Sequence, residues 1–529
     1  MSKKPTDGPL DAEKKELSIA VTAAEDFEEK VEEVGKVTPP DGGYGWVVVA
    51  ASFLVNMCVD GVIYTCGKTL TPGWESRFGG LSGASLVVSL LTGCYYFCGP
   101  LASALVNVFG IRPVAIFGAI LSSSAFVLSS FSTQPWQYYA TFGVMGGIGF
   151  GFMYLPSIVI LSTYFAKKRS VATGIAVCGS GIGTVIFSQL NGPVFKLLGE
   201  RDDLFMIYLA GIAIFGALFS LLFAPLKPSD QQVKKVAKMV RQYEGKPEEP
   251  SERLLENVRN DLEELNKPAH QADTFYAGNT LDAKVGEHVV HATEQHTVQH
   301  VAKKSKLVEF KESLYSICDR DLLLSPSFMT LAFSGTFTVM AFLVPFNFIS
   351  HAMNPAITED SQRSLPLTLI GIFNIVCRVL CGIIADHPTM SALQVSNIAT
   401  IIAGISMLFV PFCTELWHYI VFCIPFSAGV ACFAALRSVI CVELIGVEKL
   451  NNAFGILMVF MGIGAVAGGP IAGYIKDMTN SFDYAFYIMG MVFAFSGIMT
   501  IRLPQMKSWE ESRKQAREGT EMRVLAQNA

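Results

Sequence analysis

Residues 45–68, GWVVVAASFLVNMCVDGVIYTCGK, form a long apolar run in which the first charged side chain is Asp60. A helix needs about 20 consecutive apolar residues to cross the hydrocarbon core of a bilayer, because each residue adds about 1.5 Å. The run is long enough, and no Pro interrupts it. It therefore predicts a membrane-spanning helix that carries one carboxylate in its interior.

Similar apolar runs recur along the rest of the chain, five before residue 227 and six after residue 322. The 529 residues are 51% hydrophobic and 16% charged, with a mean hydropathy of +0.42, whereas soluble proteins are about 25% charged. Outside the charged segments, roughly 365 residues remain, enough for about twelve spans. We predict an all-α membrane protein with twelve transmembrane helices, the other eleven near 83–107, 113–132, 137–162, 171–193, 204–226, 323–350, 364–385, 391–413, 416–445, 453–475 and 482–503.

The runs divide the chain into five segments. These are a cytosolic N-terminal tail at 1–44, a six-helix bundle at 45–226, a cytosolic central loop at 227–322, a second six-helix bundle at 323–503 and a cytosolic C-terminal tail at 504–529. Both termini are placed in the cytosol because residues 1–40 lack a signal-peptide core and Lys and Arg concentrate on that side, roughly nineteen against about five. The central loop is expected to be mostly disordered, although its Lys/Glu spacing at 231–265 predicts an amphipathic helix.

Composition and spacing argue against several classes of function. The net charge of −5 is small and gives no reason to expect a nucleic-acid partner. Four loop histidines, at positions 288, 291, 296 and 300, match no closed metal site, and no Cys or paired carboxylate completes one. No Ser/His/Asp set or nucleotide-binding loop is recognisable. We expect no metal, no cofactor and no enzymatic activity.

Charges inside the spans are the strongest functional signal, because each costs at least about 2.5 kcal/mol at the bilayer centre unless it meets a partner or water. Asp60, Tyr64 and Lys68 follow one another at four-residue intervals and share one helix face, which indicates a water-filled cavity. Arg378 lies deep in its span, and its planar guanidinium suits two-point binding of a carboxylate. The alternative is that Arg378 forms a buried ion pair with Asp60 or Glu443. Lys68 and Glu443 lie near predicted span ends, where they can also extend to the surface, and Arg437 is a further in-span charge.

Two motifs resemble the signatures of the monocarboxylate transporter family, which belongs to the major facilitator superfamily. The first is Asp41-Gly42-Gly43-Tyr44-Gly45-Trp46 at the start of the first span. The second precedes and enters the fifth span, with Tyr164-Phe165-Ala166-Lys167-Lys168-Arg169 followed by Ala172, Gly174, Ala176, Gly179, Ser180 and Gly183. The resemblance also includes the arrangement of six spans, a long loop and six more. It implies the major facilitator fold, in which two six-helix bundles enclose a central cavity.

The resemblance assigns roles to individual residues. Lys68 matches the family's substrate-binding lysine, and Tyr64 precedes it by four residues as in lactate-carrying members. Arg378 matches the arginine of the eighth span, but the family's aspartate four residues earlier is Asn374 here. The implied substrate-binding residues are Lys68, Arg378, Tyr64 and Asn374. Since an amide cannot ionise, Asp60 becomes the candidate for proton coupling, with Lys68 as the alternative.

The function expected from this resemblance is secondary transport of small monocarboxylates, such as lactate or pyruvate, across the plasma membrane by alternating access. Whether transport is coupled to protons is left open by Asn374. One alternative is a facilitative carrier of zwitterionic solutes such as creatine, carnitine or aromatic amino acids, and another is a membrane receptor or scaffold without transport. The expected partners are a small organic acid, the lipid bilayer, protons if transport is coupled, and the single-span immunoglobulin-like chaperone that related carriers often need.

Overall fold

The computed structural model of the chain describes residues 34, 39–165, 168–226, 228, 230–243, 252–265, 320–357, 359–385, 390–446 and 450–513. Within these ranges every regular element is a helix and no β-strand occurs. The predicted all-α architecture is confirmed. Most of the central loop, its four histidines and most of both outer tails lie outside the described residues, so the disorder predicted for the loop stays a prediction.

Six membrane helices form the first half of the protein. The residues at the helix ends suit their positions. Gly110 lies at the sharp turn between the second and third helices and adopts φ 88°, which a glycine tolerates. Pro135 occupies the first turn of the fourth helix. The fourth helix is π-helical over Tyr139–Met145. The helices are α1 Gly45–Glu75, α2 Leu81–Phe109, α3 Ile111–Ser130, α4 Pro135–Tyr164, α5 Arg169–Leu197 and α6 Asp202–Ser220.

Six more helices form the second half. Two begin at side-chain caps: Ser325 accepts from the Phe328 amide at 3.3 Å, and Ser391 accepts from the Gln394 amide at 3.3 Å. They are α7 Pro326–Ala352, α8 Asp360–Ala385, α9 Ala392–Leu408, α10 Leu416–Ile445, α11 Leu450–Thr479 and α12 Asp483–Met499. A short helix, Arg320–Leu324, precedes them.

The number of spans agrees with the prediction. Eleven helices of the described chain are long and apolar enough to cross a membrane. α12 has only 17 residues and bends by 40° into the helix 503–513, and counting this bent pair as one span gives twelve. One boundary differs in a way that matters: α1 continues to Glu75, so Lys68 lies two turns inside the helix rather than near its end.

Outward faces of the helices are apolar, as a bilayer requires. On α6, Phe215 and Leu218 are 55% and 56% exposed, whereas Ala210 and Ala213 are buried. Contiguous exposed apolar surface of this kind marks contact with lipid or another protein. The surface is therefore that of a multi-pass membrane protein.

Glycine pairs allow close helix packing in corresponding positions of the two halves. In the first half, a Cβ added at Gly179 or Gly183 of α5 would collide with backbone oxygens of α1. In the second half, a Cβ at Gly464 or Gly468 of α11 would collide with backbone oxygens of α7. Small residues at four-residue spacing thus let the helix backbones approach, and the repetition of this pattern reflects the internal repeat of the fold.

The halves also pack on each other, α2 against α11 and α5 against α8. Gly181 of α5 and Gly371 of α8 lie directly against each other. A Cβ added to Gly181 would lie 3.0 Å from the Gly371 carbonyl oxygen, and a Cβ added to Gly371 would lie 2.9 Å from the Gly181 carbonyl oxygen. We call the end of the protein with the loops that follow α1, α5, α7 and α11 the Glu75 end. The opposite end, where α1 begins, is the Gly45 end.

The amphipathic helix expected at 231–265 is two helices, Asp230–Tyr243 and Glu252–Leu265. They belong, with Val34, to a separate compact unit. Its apolar cluster is formed by Val233, Val236, Ala237, Val258 and Leu262. The apolar faces of these helices therefore form a small local core.

Candidate substrate cavity between the halves

Asp60 on α1 is a buried carboxylate between the two halves. Its side chain is 5% exposed, and its Oδ1 has no hydrogen-bond partner. The carboxylate interacts with the Tyr95 hydroxyl of α2 and with the charge of Arg378 on α8. A buried acid with an unfilled oxygen is costly in a protein interior, which makes Asp60 a functional candidate.

Aromatic side chains surround this carboxylate. Tyr64 stacks on Phe346 of α7 with ring centroids 4.7 Å apart. Tyr95 contacts Tyr96 at 4.9 Å and Tyr154 of α4 at 5.1 Å. The tyrosine cluster, defined as Tyr64, Tyr95, Tyr96 and Tyr154, thus brings hydroxyl groups from α1, α2 and α4 to one place. Of these four tyrosines, sequence analysis identified only Tyr64, because it shares one helix face with Asp60 and Lys68.

Arg378 reaches from α8 to the first half. Its Nη1 donates to the Val177 carbonyl of α5 at 2.9 Å, and its Nε has no partner. Asn374, one turn earlier, is buried, but its Oδ1 is also unpartnered, so the amide does not accept a hydrogen bond from Arg378. The charge of Arg378 acts on Asp60, but no ion pair within 4.0 Å joins them in the described part of the chain.

The alternative pairing of Arg378 with Glu443 is wrong. Glu443 lies near the Gly45 end of α10, where its carbonyl accepts from Lys507 Nζ at 2.6 Å. Its carboxylate interacts with the charge of Lys507. Arg378 therefore keeps donors available at the cavity.

Arg437 on α10 is a second guanidinium in this region. It lies over the rings of Phe433 at 5.6 Å and Phe454 at 4.7 Å, and its Nη1 is 2.9 Å from the sulfur of Met461. Its charge acts on Tyr96 and Tyr154 of the tyrosine cluster. Sequence analysis noted this charge but gave it no role, because its neighbours come from other helices.

Lys68 lies nearer the Glu75 end of the protein than Asp60 and Arg378 do. It follows Asp60 by eight residues, about 12 Å along α1 toward the Glu75 end. Its ammonium interacts with Asp360, and its carbonyl is 3.2 Å from His351 Nε2. Arg378 is 18 residues beyond Asp360 on α8, about 27 Å of helix. The structure therefore does not bring Lys68 and Arg378 together.

The Glu75 end is closed by contacts between the halves. Asp477 of α11 accepts from the backbone amides of Leu81 and Ser82 at the start of α2, both at 3.0 Å. Two ion pairs lie nearby, Lys476 with Glu75 and Lys196 with Asp360. Deeper in, Ser188 and Gln189 of α5 hydrogen-bond Thr368 of α8 at 2.8 and 2.7 Å.

The two motifs of the sequence pack on each other at the Gly45 end. The Asp41 amide donates to the Tyr164 carbonyl at 3.0 Å, and Asp41 Oδ1 accepts from the Lys168 amide at 3.2 Å. Trp46 meets Phe165 edge-on at 5.1 Å, and Gly45 leaves no room for a Cβ beside the same ring. Gly43 adopts φ 56°. These residues fasten the start of α1 to the α4–α5 connection and do not reach the cavity.

The comparison with known families agrees with this architecture. The family model described as Major Facilitator Superfamily matches residues 45–450 and 425–526. The chain belongs to the major facilitator superfamily. In the described residues, no group of three or more His, Cys, Asp or Glu side chains could hold a metal ion.

Similar proteins narrow the relationship. Monocarboxylate transporter 14 of Homo sapiens is 27% identical over 509 residues, covering 90% of this chain and 94% of that protein. Monocarboxylate transporter 9 of Gallus gallus is 27% identical over 497 residues, covering 89% and 94%. The resemblance inferred from the two motifs is confirmed. A partially occluded inward-open structure of the E. coli xylose transporter XylE aligns with a TM-score of 0.51 at 16% identity, covering 86% of this chain and 98% of XylE, which supports the fold.

Proposed function

We propose that this major facilitator protein transports small monocarboxylates by alternating access. The observation that carries the proposal is the charge of the cavity. The guanidinium of Arg378 acts on one carboxylate, Asp60, and a second guanidinium, Arg437, acts on Tyr96 and Tyr154, so the cavity has one net positive charge. One monoanion balances that charge, and the hydroxyl groups of the tyrosine cluster supply further hydrogen-bond donors.

Lys68 acts before the anion reaches this level. With the termini in the cytosol, as the Lys and Arg distribution predicts, the Glu75 end faces outward and Lys68 lies on the path from outside. Opening that end separates the halves at Asp477, Lys476 and Lys196 and exposes Lys68. Closing it delivers the anion to Arg378 and Tyr64, with Asn374 as a neutral neighbour. We place the carrier in the plasma membrane.

Asp60 is the proposed proton-binding group. A coupling group must bind a proton in one state and release it in another, and Asp60 combines an unfilled oxygen with a neighbouring guanidinium. Protonation removes the negative charge beside Arg378 and so strengthens anion binding. Proton and carboxylate then bind together, which is the requirement for symport.

A second candidate is a zwitterionic solute. The same carboxylate within four tyrosines can hold a substrate ammonium through an ion pair and cation–π contacts, while an arginine holds the carboxylate. This possibility follows from Asp60 and not from the arginines. It therefore predicts a different dependence on Asp60, since a zwitterion carrier loses binding when that charge is removed.

Uptake into proteoliposomes tests the proposal. We expect the purified protein to accumulate labelled lactate or pyruvate, and unlabelled monocarboxylates to compete. Creatine and phenylalanine, measured in parallel, represent the zwitterionic alternative, and liposomes without protein give the background. Uptake of zwitterions alone favours the second candidate, and uptake of no solute favours a receptor or scaffold.

A further inference from the structure

Arg437 has donors that nothing in the described protein fills. A guanidinium carries five N–H groups, yet among the described residues the only acceptor of Arg437 is the Met461 sulfur, which is a weak one, and its buried Nε has no partner there. No carboxylate lies within 4.0 Å of it in the described ranges. A permanent charge inside a membrane protein is costly without a counter-charge or water, so this arrangement favours an anionic ligand.

The aromatic neighbours of Arg437 offer no hydrogen-bond acceptor to its N–H groups. Phe433 and Phe454 lie against the guanidinium at 5.6 and 4.7 Å from their centroids. Neither ring has an oxygen or nitrogen that could accept from the edge of the guanidinium, which carries the N–H fork that binds a carboxylate at two points. Nη1 is directed to Met461, whereas Nε on the other side is free.

Arg378 differs in this respect. Arg378 already donates to the Val177 carbonyl, and its charge interacts with that of Asp60. Both arginines act on the hydroxyl of Tyr154, so Tyr154 marks the place where their influence overlaps. Arg437 also lines a small cavity of the second half whose wall carries hydroxyl and amide groups, among them Thr338 and Asn397, and no acid.

We propose that Arg437 is a second carboxylate-binding residue of the cavity, and that it binds the substrate anion together with Arg378 beside Tyr154. Asp60 balances the charge of Arg378, and Arg437 supplies the positive charge that the substrate neutralises. The proposal rests on the proposed function, because it specifies how the transported anion is held. It assigns the carrier a substrate with a single carboxylate, whose apolar part contacts Phe433 and Phe454.

Substrate counterflow in proteoliposomes, at pH 8 on both sides to favour the ionised form of Asp60, measures binding without a net driving force. We expect R437Q to raise the KM for labelled monocarboxylate at least about tenfold, the scale of one lost charged contact. R437K, which keeps the charge and loses the planar fork, gives an intermediate KM. Arg112, exposed on α3, provides the matched control, and R112Q keeps the wild-type KM.

A double variant that restores the net charge of the cavity tests the proposal more specifically than R437Q alone. R437Q leaves Arg378 and Asp60 with no net charge, and adding D60N restores one positive charge. The double variant R437Q/D60N should therefore recover a measurable part of the lost affinity, which a structural defect would not do. A wild-type KM in R437Q, or no recovery in the double variant, overturns the proposal. If R437Q does not fold, an unchanged KM in R437K overturns it, whereas a wild-type protein that carries no monocarboxylate refutes the proposed function itself.

Discussion

At the scale of single residues, the cavity is defined by polar atoms that are buried without partners. Asp60 Oδ1, Asn374 Oδ1, Arg378 Nε and Arg437 Nε are four such atoms. Buried polar groups are nearly always hydrogen-bonded in folded proteins. Because these four atoms belong to the cavity residues of α1, α8 and α10, we expect a solute or water to complete the network when the carrier works.

The role of Asp60 leads to a prediction about coupling. We expect an inward proton gradient at fixed membrane potential to stimulate monocarboxylate uptake several-fold. D60N should abolish the stimulation while leaving exchange measurable, because the amide imitates the protonated acid but cannot release a proton. Stimulation that survives in D60N would transfer the coupling role to another group, with Lys68 the next candidate. No stimulation of the wild type would mean that Asn374, in place of an aspartate, leaves the carrier uncoupled.

The guanidinium geometry of Arg378 leads to a second prediction. R378K keeps a positive charge near Asp60 but loses both the planar fork and the reach to the Val177 carbonyl. We expect transport to fall at least about tenfold at equal protein abundance, the effect of roughly 1.4 kcal/mol. Initial uptake rates normalised to reconstituted protein provide the measurement. Near-normal transport would show that Arg378 has only a structural role.

At the scale of the helices, the glycines of the second motif have unequal roles. An added Cβ at Gly179 meets the Phe53 carbonyl of α1, whereas one at Gly174 meets nothing within 4 Å. We expect G179A to lower the melting temperature in detergent, consistent with about 1–3 kcal/mol for overpacking. G174A is the matched control on the same helix and should melt like the wild type. Equal melting temperatures would contradict the packing assigned to the α1–α5 pair.

The helices themselves were predictable, but the contacts between them were only partly so. Apolar runs gave the spans, whereas the partner of the closely spaced glycines of α5, which is α1, became known only from the structure. The extension of α1 to Glu75 was missed because Lys68 looked like a span end, although a helix can continue past a lysine that meets an acid such as Asp360. The π-helical turn in α4 left no sequence signal, since its glycines suit an ordinary helix equally well.

The site was predictable one residue at a time. In-span charges identified Asp60, Arg378 and Arg437, because burial of charge is costly wherever it occurs. The sequence could not show that Lys68 and Arg378 lie at different depths in the membrane, because their depths depend on the relative position of α1 and α8 along their axes. It also could not show that the charge of Arg437 acts on the tyrosines of α2 and α4, because that proximity exists only when the two halves are packed.

At the scale of the whole molecule, the carrier is closed at the Glu75 end, and Asp477 is the contact best suited to hold that state. Its two oxygens accept from the first amides of α2, so it caps a helix of the opposite half and meets the positive end of that helix dipole. Gly80 leaves the space for this carboxylate, since a Cβ there would approach Asp477 Oδ2 to 2.6 Å. The contact must break each time the Glu75 end opens.

Removing the cap should shift the balance between closed and open states. D477A loses both acceptors and leaves the amides of Leu81 and Ser82 without their partner, at a cost of about 0.5–2 kcal/mol to the closed state. Spin labels on non-natural amino acids at Leu197 and Met478, which are exposed on α5 and α11 at this end, report the separation of the halves by pulsed electron resonance. We expect D477A to increase the population with the longer distance. D483A removes an exposed acid of the same end that bridges nothing between the halves, and it should keep the wild-type distribution. A wild-type distribution in D477A would show instead that the ion pairs of Lys476 and Lys196 and the α2–α11 seam hold the end closed without the cap.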